Sequence, residues 1–390
     1  MSKTGKKVLK YGLNVALVVL ITWFALHMIF KDNEPEKILE QIKMADARWL
    51  ILAAVLMFLF ATFESFILKY LFSGLKQKIS YVKCFFLAWV EFFYSQITPG
   101  ASGGQPVQIY YMGKCGINGF VSTMVCMLVT LTYKFMLVIL CIVFIILRPE
   151  LTIVAIEDVI VLFIIGVFLQ AGFATFLLIA VTKPAFASWI INTLIKWGIG
   201  LHLIRHPEKL IAKANESLKQ YDQASVFIRQ NKRVLLNVFL ITAVQRMMYY
   251  MITYCVTQAL GIDCNWIDVV AIQLMLSMAV DALPLPGAAG ANEIVFNRLQ
   301  KQIFGPEKLA PGLLLNRGIT YYLLALTGGV LSLIGHIWVF RRKVGETTNT
   351  PEGEAMMNEM IKEAEQDEAA EHVLIDAEEV AEAVEKADGE

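Results

Sequence analysis

Charged residues are scarce in this 390-residue sequence. They make up 17 % of the chain, against about 25 % in an ordinary soluble domain, while hydrophobic residues reach 57 %. A soluble domain has no interior large enough to bury so much apolar surface, so the composition excludes a soluble or secreted globular protein. We predict an all-α polytopic membrane protein that crosses a bacterial-type inner membrane several times.

Motifs for cofactor and metal chemistry are also missing. The six cysteines show no CxxC or other metal-ligand spacing, and most lie within apolar runs. The sequence has no HExxH helix, no phosphate-binding Walker loop and no dinucleotide-binding glycine pattern. We therefore predict no cofactor, no metal, no structural disulfide and no directly bound nucleic acid.

Long apolar runs are what the sequence has instead. A helix needs about 20 apolar residues to cross the hydrocarbon core. Six segments meet this length, namely 11–30, 49–72, 119–147, 158–181, 234–260 and 312–340. Two further stretches, 81–97 and 266–283, each run into a Pro/Gly break and resume as the short pieces 105–113 and 291–302. The pattern predicts about six full spans plus two broken helical hairpins.

The charge outside the spans indicates which segments are cytoplasmic, because Lys and Arg collect in cytoplasmic loops. The predicted regions are a basic cytoplasmic N-terminus at 1–10, a membrane domain at 11–343 with halves at about 11–147 and 158–343, a cytoplasmic interfacial segment at 182–233, and an acidic tail at 344–390. The tail is too poor in apolar residues to fold alone, so we predict it to be disordered or loosely helical. Both termini of this multi-pass cell-membrane protein are predicted to be cytoplasmic.

The two breaks are copies of one motif. Pro99-Gly100-Ala101-Ser102-Gly103-Gly104-Gln105 aligns without a gap with Pro286-Gly287-Ala288-Ala289-Gly290-Ala291-Asn292, 187 residues later. Each half then contains an odd number of crossings, which predicts an inverted-topology repeat. Broken helices at corresponding positions of inverted halves indicate a transporter binding site near the membrane midplane. The alternative is that the breaks only kink packed helices.

The broken motifs are candidates for binding a substrate. Unwound backbone inside a membrane must be buried in protein or line a wet cavity. Helices that restart at Gln105 and Asn292 would aim free N–H groups at a ligand, which suits an anion. The candidate residues from these motifs are Pro99, Gly100, Gly103, Gly104, Gln105, Gln108, Pro286, Gly287, Gly290 and Asn292.

Ionisable residues inside spans are the second group of candidates, since they are costly there and are functional by default. They are Glu64, Glu91, Lys134, Arg246, Asp281, Glu293 and Arg317. We predict that Arg246 and Arg317 hold an anionic headgroup and that Glu293 either holds an amine or pairs with Arg317. Lys134 lies beyond the first hairpin as Arg317 lies beyond the second. The alternative is that these residues form buried ion pairs that fix helix packing.

One serine motif resembles that of an intramembrane protease. Gly100 to Gly104 satisfies G-x-S-x-G, and His336 is the one plausible partner for Ser102 in an intramembrane protease. The second copy of the motif has Ala289 in place of Ser102, which indicates that the motif serves backbone shape. A nucleophile elbow also follows a strand, and none is predicted here. We therefore predict no catalytic residues.

These residues together resemble a known family, the flippase-like transmembrane domain of bacterial lysylphosphatidylglycerol synthases and its stand-alone relatives. The resemblance covers about residues 8–343 and rests on TPGASGGQPVQ, LPLPGAAGANE and the pair Asn316-Arg317 followed by two glycines. Where the family's first motif carries Glu, Pro and then Arg, this sequence has Gln105, Pro106 and Gln108. The second motif keeps its acid as Glu293. The loss of these two charges puts the identity of the bound lipid headgroup in question, while the predicted fold is unchanged.

The resemblance implies a function. Two-domain members of the family transfer lysine from lysyl-tRNA to phosphatidylglycerol through a cytoplasmic domain, and the membrane part is thought to move the product to the outer leaflet, which protects against cationic peptides. Because this sequence ends in an acidic tail, the resemblance implies the translocase part alone.

Three functions remain open from the sequence. The first is a flippase-like translocase for a phospholipid or an isoprenoid-linked lipid, lysylphosphatidylglycerol among them. The second is a membrane component of phosphatidylglycerol lysyltransferase activity that works with a separate cytoplasmic aminoacyltransferase or another lipid-modifying enzyme. The third is a membrane scaffold.

Overall fold

The computed structural model describes residues 35–182 and 226–339 except 229, together with residues 189, 192, 193, 195, 351–356, 358–360 and 362. The predicted first span at 11–30 lies outside the described residues. So do most of the predicted interfacial segment at 182–233 and most of the acidic tail.

The described residues are helical, with no strand among them. The α-helices are α1 (Pro35–Met44), α2 (Ala47–Gly74), α3 (Tyr81–Ile97), α4 (Gly104–Lys114), α5 (Gly119–Leu147), α6 (Pro149–Glu157), α7 (Ile160–Thr182), α8 (Lys232–Ala259), α9 (Trp266–Val280), α10 (Ala291–Leu299), α11 (Lys301–Arg317) and α12 (Leu324–Ile334). Two 3₁₀ turns, Pro99–Ala101 and Pro286–Ala288, form the breaks, and two π-helical turns, Gly318–Leu323 and Gly335–Val339, extend the last span.

Five helical segments of the described chain are long and apolar enough to cross a membrane: Ala47–Gly74, Val121–Leu147, Ile160–Ile179, Lys232–Ala259 and Lys301–Val339. They confirm five of the six predicted spans and the polytopic all-α fold. The last one differs from the predicted 312–340 because its helix begins 11 residues earlier, at Lys301. Its first turns bend at Gly305, which has φ +65° and precedes Pro306.

Each predicted hairpin consists of two helices joined by a 3₁₀ turn. Helices α3 and α4 pack on each other across the first turn, and α9 and α10 do so across the second. Both turns use the same backbone conformation: Gly100 and Ala101 have φ of 60° and 56°, and Gly287 and Ala288 have φ of 54° and 52°. The aligned motifs therefore fold alike, while the inverted orientation of the two halves remains a prediction.

Helix α9 lies at the centre of the bundle. Every residue from Val269 to Val280 is buried, and α9 contacts α5, α7 and α8. This enclosure explains how a 15-residue helix is accommodated, because it does not have to match the hydrocarbon thickness on its own. Gly166 of α7 allows the closest crossing, since a Cβ there would collide with the backbone oxygen of Met278.

The tail is not wholly without packing. Residues 351–356 and 358–360 are helical, and Met360 is 2 % exposed. Gly353, Met356 and Met360 line a small pocket together with side chains of the α2–α3 loop and of α5, namely Leu75, Gln77, Val121 and Met124. Most of the tail lies outside the described residues, so its disordered or loosely helical character stays a prediction.

Replacing Met360 by glutamate is expected to release this helix. Burial of a methionine side chain contributes about 1.5–3 kcal/mol, so the undocked population should rise about 10- to 100-fold. Amide hydrogen exchange of residues 351–360 would measure it. The control is Glu359→Gln at an exposed neighbour, which should leave exchange unchanged. Equal protection in Met360→Glu and in the unaltered protein would contradict the packing.

Candidate functional site

A buried ion pair fixes the second break. The Arg317 Nε atom lies 2.8 Å from Oε1 of Glu293, and the two residues are 8 % and 3 % exposed. The other carboxylate oxygen of Glu293 accepts a hydrogen bond from the backbone N–H of Gly290 at 2.5 Å. Glu293 thereby caps the start of α10. Of the two roles predicted for Glu293, the structure shows the pairing with Arg317.

Arg317 also holds the backbone of the turn itself. Its Nη2 donates to the carbonyl oxygen of Gly287 at 3.1 Å, and its guanidinium lies 4.6 Å from the ring centroid of Tyr321. A Cβ on Gly287 would collide with that same tyrosine ring. Glu293, Arg317 and Tyr321 therefore form one packed unit beneath the second break.

The first break is held by smaller groups. The Thr98 hydroxyl accepts a hydrogen bond from the Gly103 N–H at 2.9 Å. At Gly104 a Cβ would collide with Ser95, whose hydroxyl donates to Glu91 Oε1 at 2.7 Å. Glu91 thus lies beside the start of α4, much as Glu293 lies beside the start of α10.

The two glutamines of the first motif point away from the break. The Gln105 side-chain amide donates to the Thr130 hydroxyl of α5, and the Gln108 amide donates to the Leu87 carbonyl of α3 at 3.2 Å. These residues fix α4 against its neighbours. In the second copy, Asn292 is partly buried in the first turn of α10.

The two breaks touch. The backbone N–H of Gly100 donates to the carbonyl oxygen of Leu285 at 3.4 Å, and the Gly100 backbone approaches Pro284 closely. Pro99 and Gly100 are exposed at this junction, and Pro286 begins the second turn. The motifs that the sequence places 187 residues apart therefore meet in space, as the shared-site prediction requires.

A second group of polar side chains surrounds Arg246 of α8. Its guanidinium carbon lies 3.8 Å from the ring centroid of Tyr133 and 5.0 Å from that of Phe60. Its Nε atom is buried and makes no hydrogen bond within the described chain. No carboxylate of the described residues lies within ion-pair distance of it. Stacking on aromatic rings holds this cation in place while its Nε–H has no partner among the described residues.

Tyr133 links Arg246 to further charges. The Tyr133 hydroxyl donates to Asp281 Oδ2 at 3.1 Å, and the ammonium of Lys134 lies 5.1 Å from the Tyr133 ring centroid. Lys134 hydrogen-bonds Gln170 of α7. Asp281, the residue that follows α9, is exposed although α5 and α8 surround it. The Asp281 carboxylate is therefore the accessible end of the contact with Tyr133.

Glutamates of the first half complete the group. Gln245, the neighbour of Arg246, donates to Glu64 Oε2 at 2.9 Å and to the Phe60 carbonyl at 3.0 Å. Glu64 and Glu91 interact electrostatically with Arg246. We call Glu64, Glu91, Tyr133, Lys134, Arg246 and Asp281 the Arg246 cluster. It contains three carboxylates and two cations, and helices α2, α3, α5, α8 and α9 supply or border it.

The serine motif lacks its proposed partner. His336 Nδ1 hydrogen-bonds the Tyr111 hydroxyl at 2.8 Å, and the two rings are T-shaped with centroids 5.9 Å apart. Ser102 lies in the exposed first break. These contacts agree with the prediction that the motif serves backbone shape.

The predicted residues thus divide into two places. Glu293, Arg317 and the glycines form the breaks, while Arg246 and Lys134 belong to the Arg246 cluster. Sequence reasoning missed Tyr133, Gln170 and Gln245. A signal existed for two of them, because Tyr133-Lys134 and Gln245-Arg246 are adjacent polar pairs within apolar helices.

Comparison with known proteins gives two matches. A family model described as "Lysylphosphatidylglycerol synthase TM region" matches residues 12–328. A relative, the UPF0104 membrane protein PH1989 of Pyrococcus horikoshii, is 22 % identical over 341 residues, which covers 84 % of this chain and 97 % of that protein.

Proposed function

This chain belongs to the lysylphosphatidylglycerol synthase TM-region family, and from that premise we propose that it is a flippase-like translocase that moves a lipid with a phosphate-bearing headgroup between membrane leaflets. The lipid is a phospholipid, such as lysylphosphatidylglycerol, or an isoprenoid-linked lipid. We place the protein in the cell membrane with both termini cytoplasmic.

The observation that carries the proposal is the state of Arg246. Arg246 is half-buried between aromatic rings and donates no hydrogen bond to the described residues, and its buried Nε–H is costly unless a ligand or water accepts from it. A guanidinium offers five N–H donors in a planar fork that matches a phosphate. An anionic headgroup bound here would supply both the charge and the hydrogen bonds that Arg246 lacks.

The breaks supply the second requirement of a translocase. A headgroup crossing the membrane needs polar surroundings, and unwound backbone can provide them only where it lines protein or a wet cavity. The first turn contacts Leu285, which follows Asp281 of the Arg246 cluster by four residues in the chain. The acyl or prenyl tails would stay in the surrounding membrane during transfer.

The sequence-based assignment of Arg317 and Glu293 to the headgroup changes accordingly. Each of these residues already neutralises the other in a buried pair that also fixes the second turn. We propose that they position the break, while Arg246 and Lys134 contact the headgroup.

The variant Arg246→Gln tests this function. It is reconstituted into liposomes that carry fluorescent phosphatidylglycerol, lysylphosphatidylglycerol or an undecaprenyl lipid. The rate of leaflet exchange is measured from the fluorescence that an external quencher removes. Hydrogen bonds to a charged group contribute about 1.5–3 kcal/mol, so exchange of the transported lipid should slow about 10- to 100-fold. The matched control is Arg233→Gln, an exposed arginine at the start of the same helix, and it should exchange lipid at the unaltered rate.

Two outcomes would overturn the proposal. One is a folded, reconstituted protein that exchanges none of the three lipids. The other is equal loss of exchange in both arginine variants, which would indicate a nonspecific effect of charge.

The family description favours a second function, since it names a synthase. In that role the chain would supply phosphatidylglycerol to a separate cytoplasmic aminoacyltransferase. Formation of lysylphosphatidylglycerol in cells that carry both proteins, and in neither single-protein control, would support it. A scaffold role would instead require that removal of residues 344–390 abolishes function while Arg246→Gln is harmless.

A further inference from the structure

The Tyr133 side chain contacts both Arg246 and Asp281. The Tyr133 ring stacks on the Arg246 guanidinium at 3.8 Å, and the Tyr133 hydroxyl donates to Asp281 Oδ2 at 3.1 Å. Lys134 and Arg246 are the cations that interact electrostatically with Asp281, and among the described residues neither is in ion-pair contact with it. Tyr133 therefore contacts both a cation that could hold an anion and an exposed carboxylate.

By formal charge, the Arg246 cluster has one more carboxylate than it has cations. With every group ionised, Glu64, Glu91 and Asp281 outweigh Arg246 and Lys134 by one negative charge. The groups that face Asp281 are Tyr133 and Lys134 of α5, Arg246, Tyr249 and Tyr250 of α8, and Ser277 of its own helix. Only two of these groups are cationic, and Lys134 is hydrogen-bonded to Gln170.

An arriving phosphate diester would raise this excess to two negative charges. Like charges within several ångströms repel strongly where the surroundings are apolar. The repulsion disappears if one carboxylate takes up a proton as the anion binds. Binding of the anion and binding of a proton are then coupled, each favouring the other by the same factor.

We infer that a phosphate-bearing headgroup binds at Arg246 together with one proton, which Asp281 takes up. This inference rests on the proposed function and names the coupling at the same site. One O–H bond forms when a carboxylate oxygen of Asp281 takes a proton from hydronium, which becomes water, and the proton returns to water when the anion leaves; no other covalent bond changes.

Asp281 is the acceptor because of its surroundings. It is exposed, so water can deliver a proton to it. Glu64 is buried and its Oε2 accepts a hydrogen bond from Gln245, and Glu91 Oε1 accepts one from Ser95. Of the three carboxylates in the cluster, Asp281 is therefore the most exposed.

The coupling supplies an energy source without a nucleotide site. A proton that accompanies each headgroup makes lipid movement respond to the pH difference across the membrane. Affinity for the anion should fall about tenfold for each unit of rising pH, because one proton is bound with each anion.

Calorimetric titration of the purified full-length protein with dihexanoyl phosphatidylglycerol tests the coupling. Its phosphodiester keeps one charge between pH 6 and 8, so every proton counted belongs to the protein. Titrations in buffers of different ionisation enthalpy should give about one proton taken up per lipid. Dimethyl phosphate forms a second arm: uptake with both ligands assigns the coupling to the phosphate itself, and uptake with the lipid alone assigns it to the lipid headgroup.

Asp281→Asn imitates the protonated acid. It should bind dihexanoyl phosphatidylglycerol without proton uptake and with an affinity that no longer varies with pH. The control Asp263→Asn, in the exposed loop before α9, should keep the uptake of one proton. Binding without proton uptake in the unaltered protein, or persisting uptake in Asp281→Asn, overturns this inference and leaves the translocase proposal standing. Failure of the folded protein to bind either ligand overturns both.

Discussion

Replacing Arg317 by methionine is expected to lower the free energy of unfolding by about 3–5 kcal/mol, because it leaves the buried carboxylate of Glu293 without its counter-charge. The change also removes the hydrogen bond to the Gly287 carbonyl, so the second break loses its support. Thermal unfolding in detergent, followed by the fraction of protein that remains monodisperse, would measure the loss.

A double variant separates the ion pair from the rest of the packing. Glu293→Gln keeps an oxygen that can accept from the Gly290 N–H but removes the unpaired charge. Combined with Arg317→Met it should therefore recover a large part of the lost stability. If Arg317→Met alone lowered the free energy of unfolding by less than about 1 kcal/mol, the ion pair would not stabilise the second break.

Gly287→Ala is expected to destabilise the protein more than Gly100→Ala, although the two glycines occupy the same position of the repeated motif. Both have a left-handed backbone, in which a Cβ costs about 1–2 kcal/mol. At Gly287 the added Cβ also collides with the Tyr321 ring, while at Gly100 the nearest atom is Pro284 Cα at 3.4 Å, an ordinary contact. Overpacking adds about 1–3 kcal/mol at Gly287 alone.

The comparison of the two glycine variants is its own control. Matched unfolding curves should place Gly100→Ala within about 2 kcal/mol of the unaltered protein and Gly287→Ala about 2–5 kcal/mol below it. Equal losses would show that backbone strain alone decides the effect and that the Tyr321 ring moves aside freely.

The spans and the breaks could be predicted because they depend on local composition. Apolar runs of about 20 residues and the repeated PGA motifs are visible in any one stretch of chain. The predicted 266–283 piece was too long, since the helix ends at Val280. Asp281 then lies just beyond the helix and is exposed, which hydropathy does not reveal.

The candidate site could be predicted only in part, because it depends on contacts between distant segments. Glu293 and Arg317 are 24 residues apart and flank one break, so their pairing could be offered as an alternative. Arg246 and Tyr133 come from different halves, 113 residues apart by number, and no local pattern joins them. The proposed function rests on Arg246, whose Nε has no hydrogen-bond partner among the described residues and whose guanidinium stacks on Tyr133. Neither feature can be read from the sequence.

The junction of the two breaks is made of main-chain atoms, the Gly100 N–H and the Leu285 carbonyl. Peptide groups are the same whatever side chains they carry, so this joint is insensitive to most substitutions around it. Substitutions can therefore change the side chains around the junction while the two breaks stay joined by the same backbone hydrogen bond. Under the proposed function, such a chain could acquire a new cargo and keep its fold.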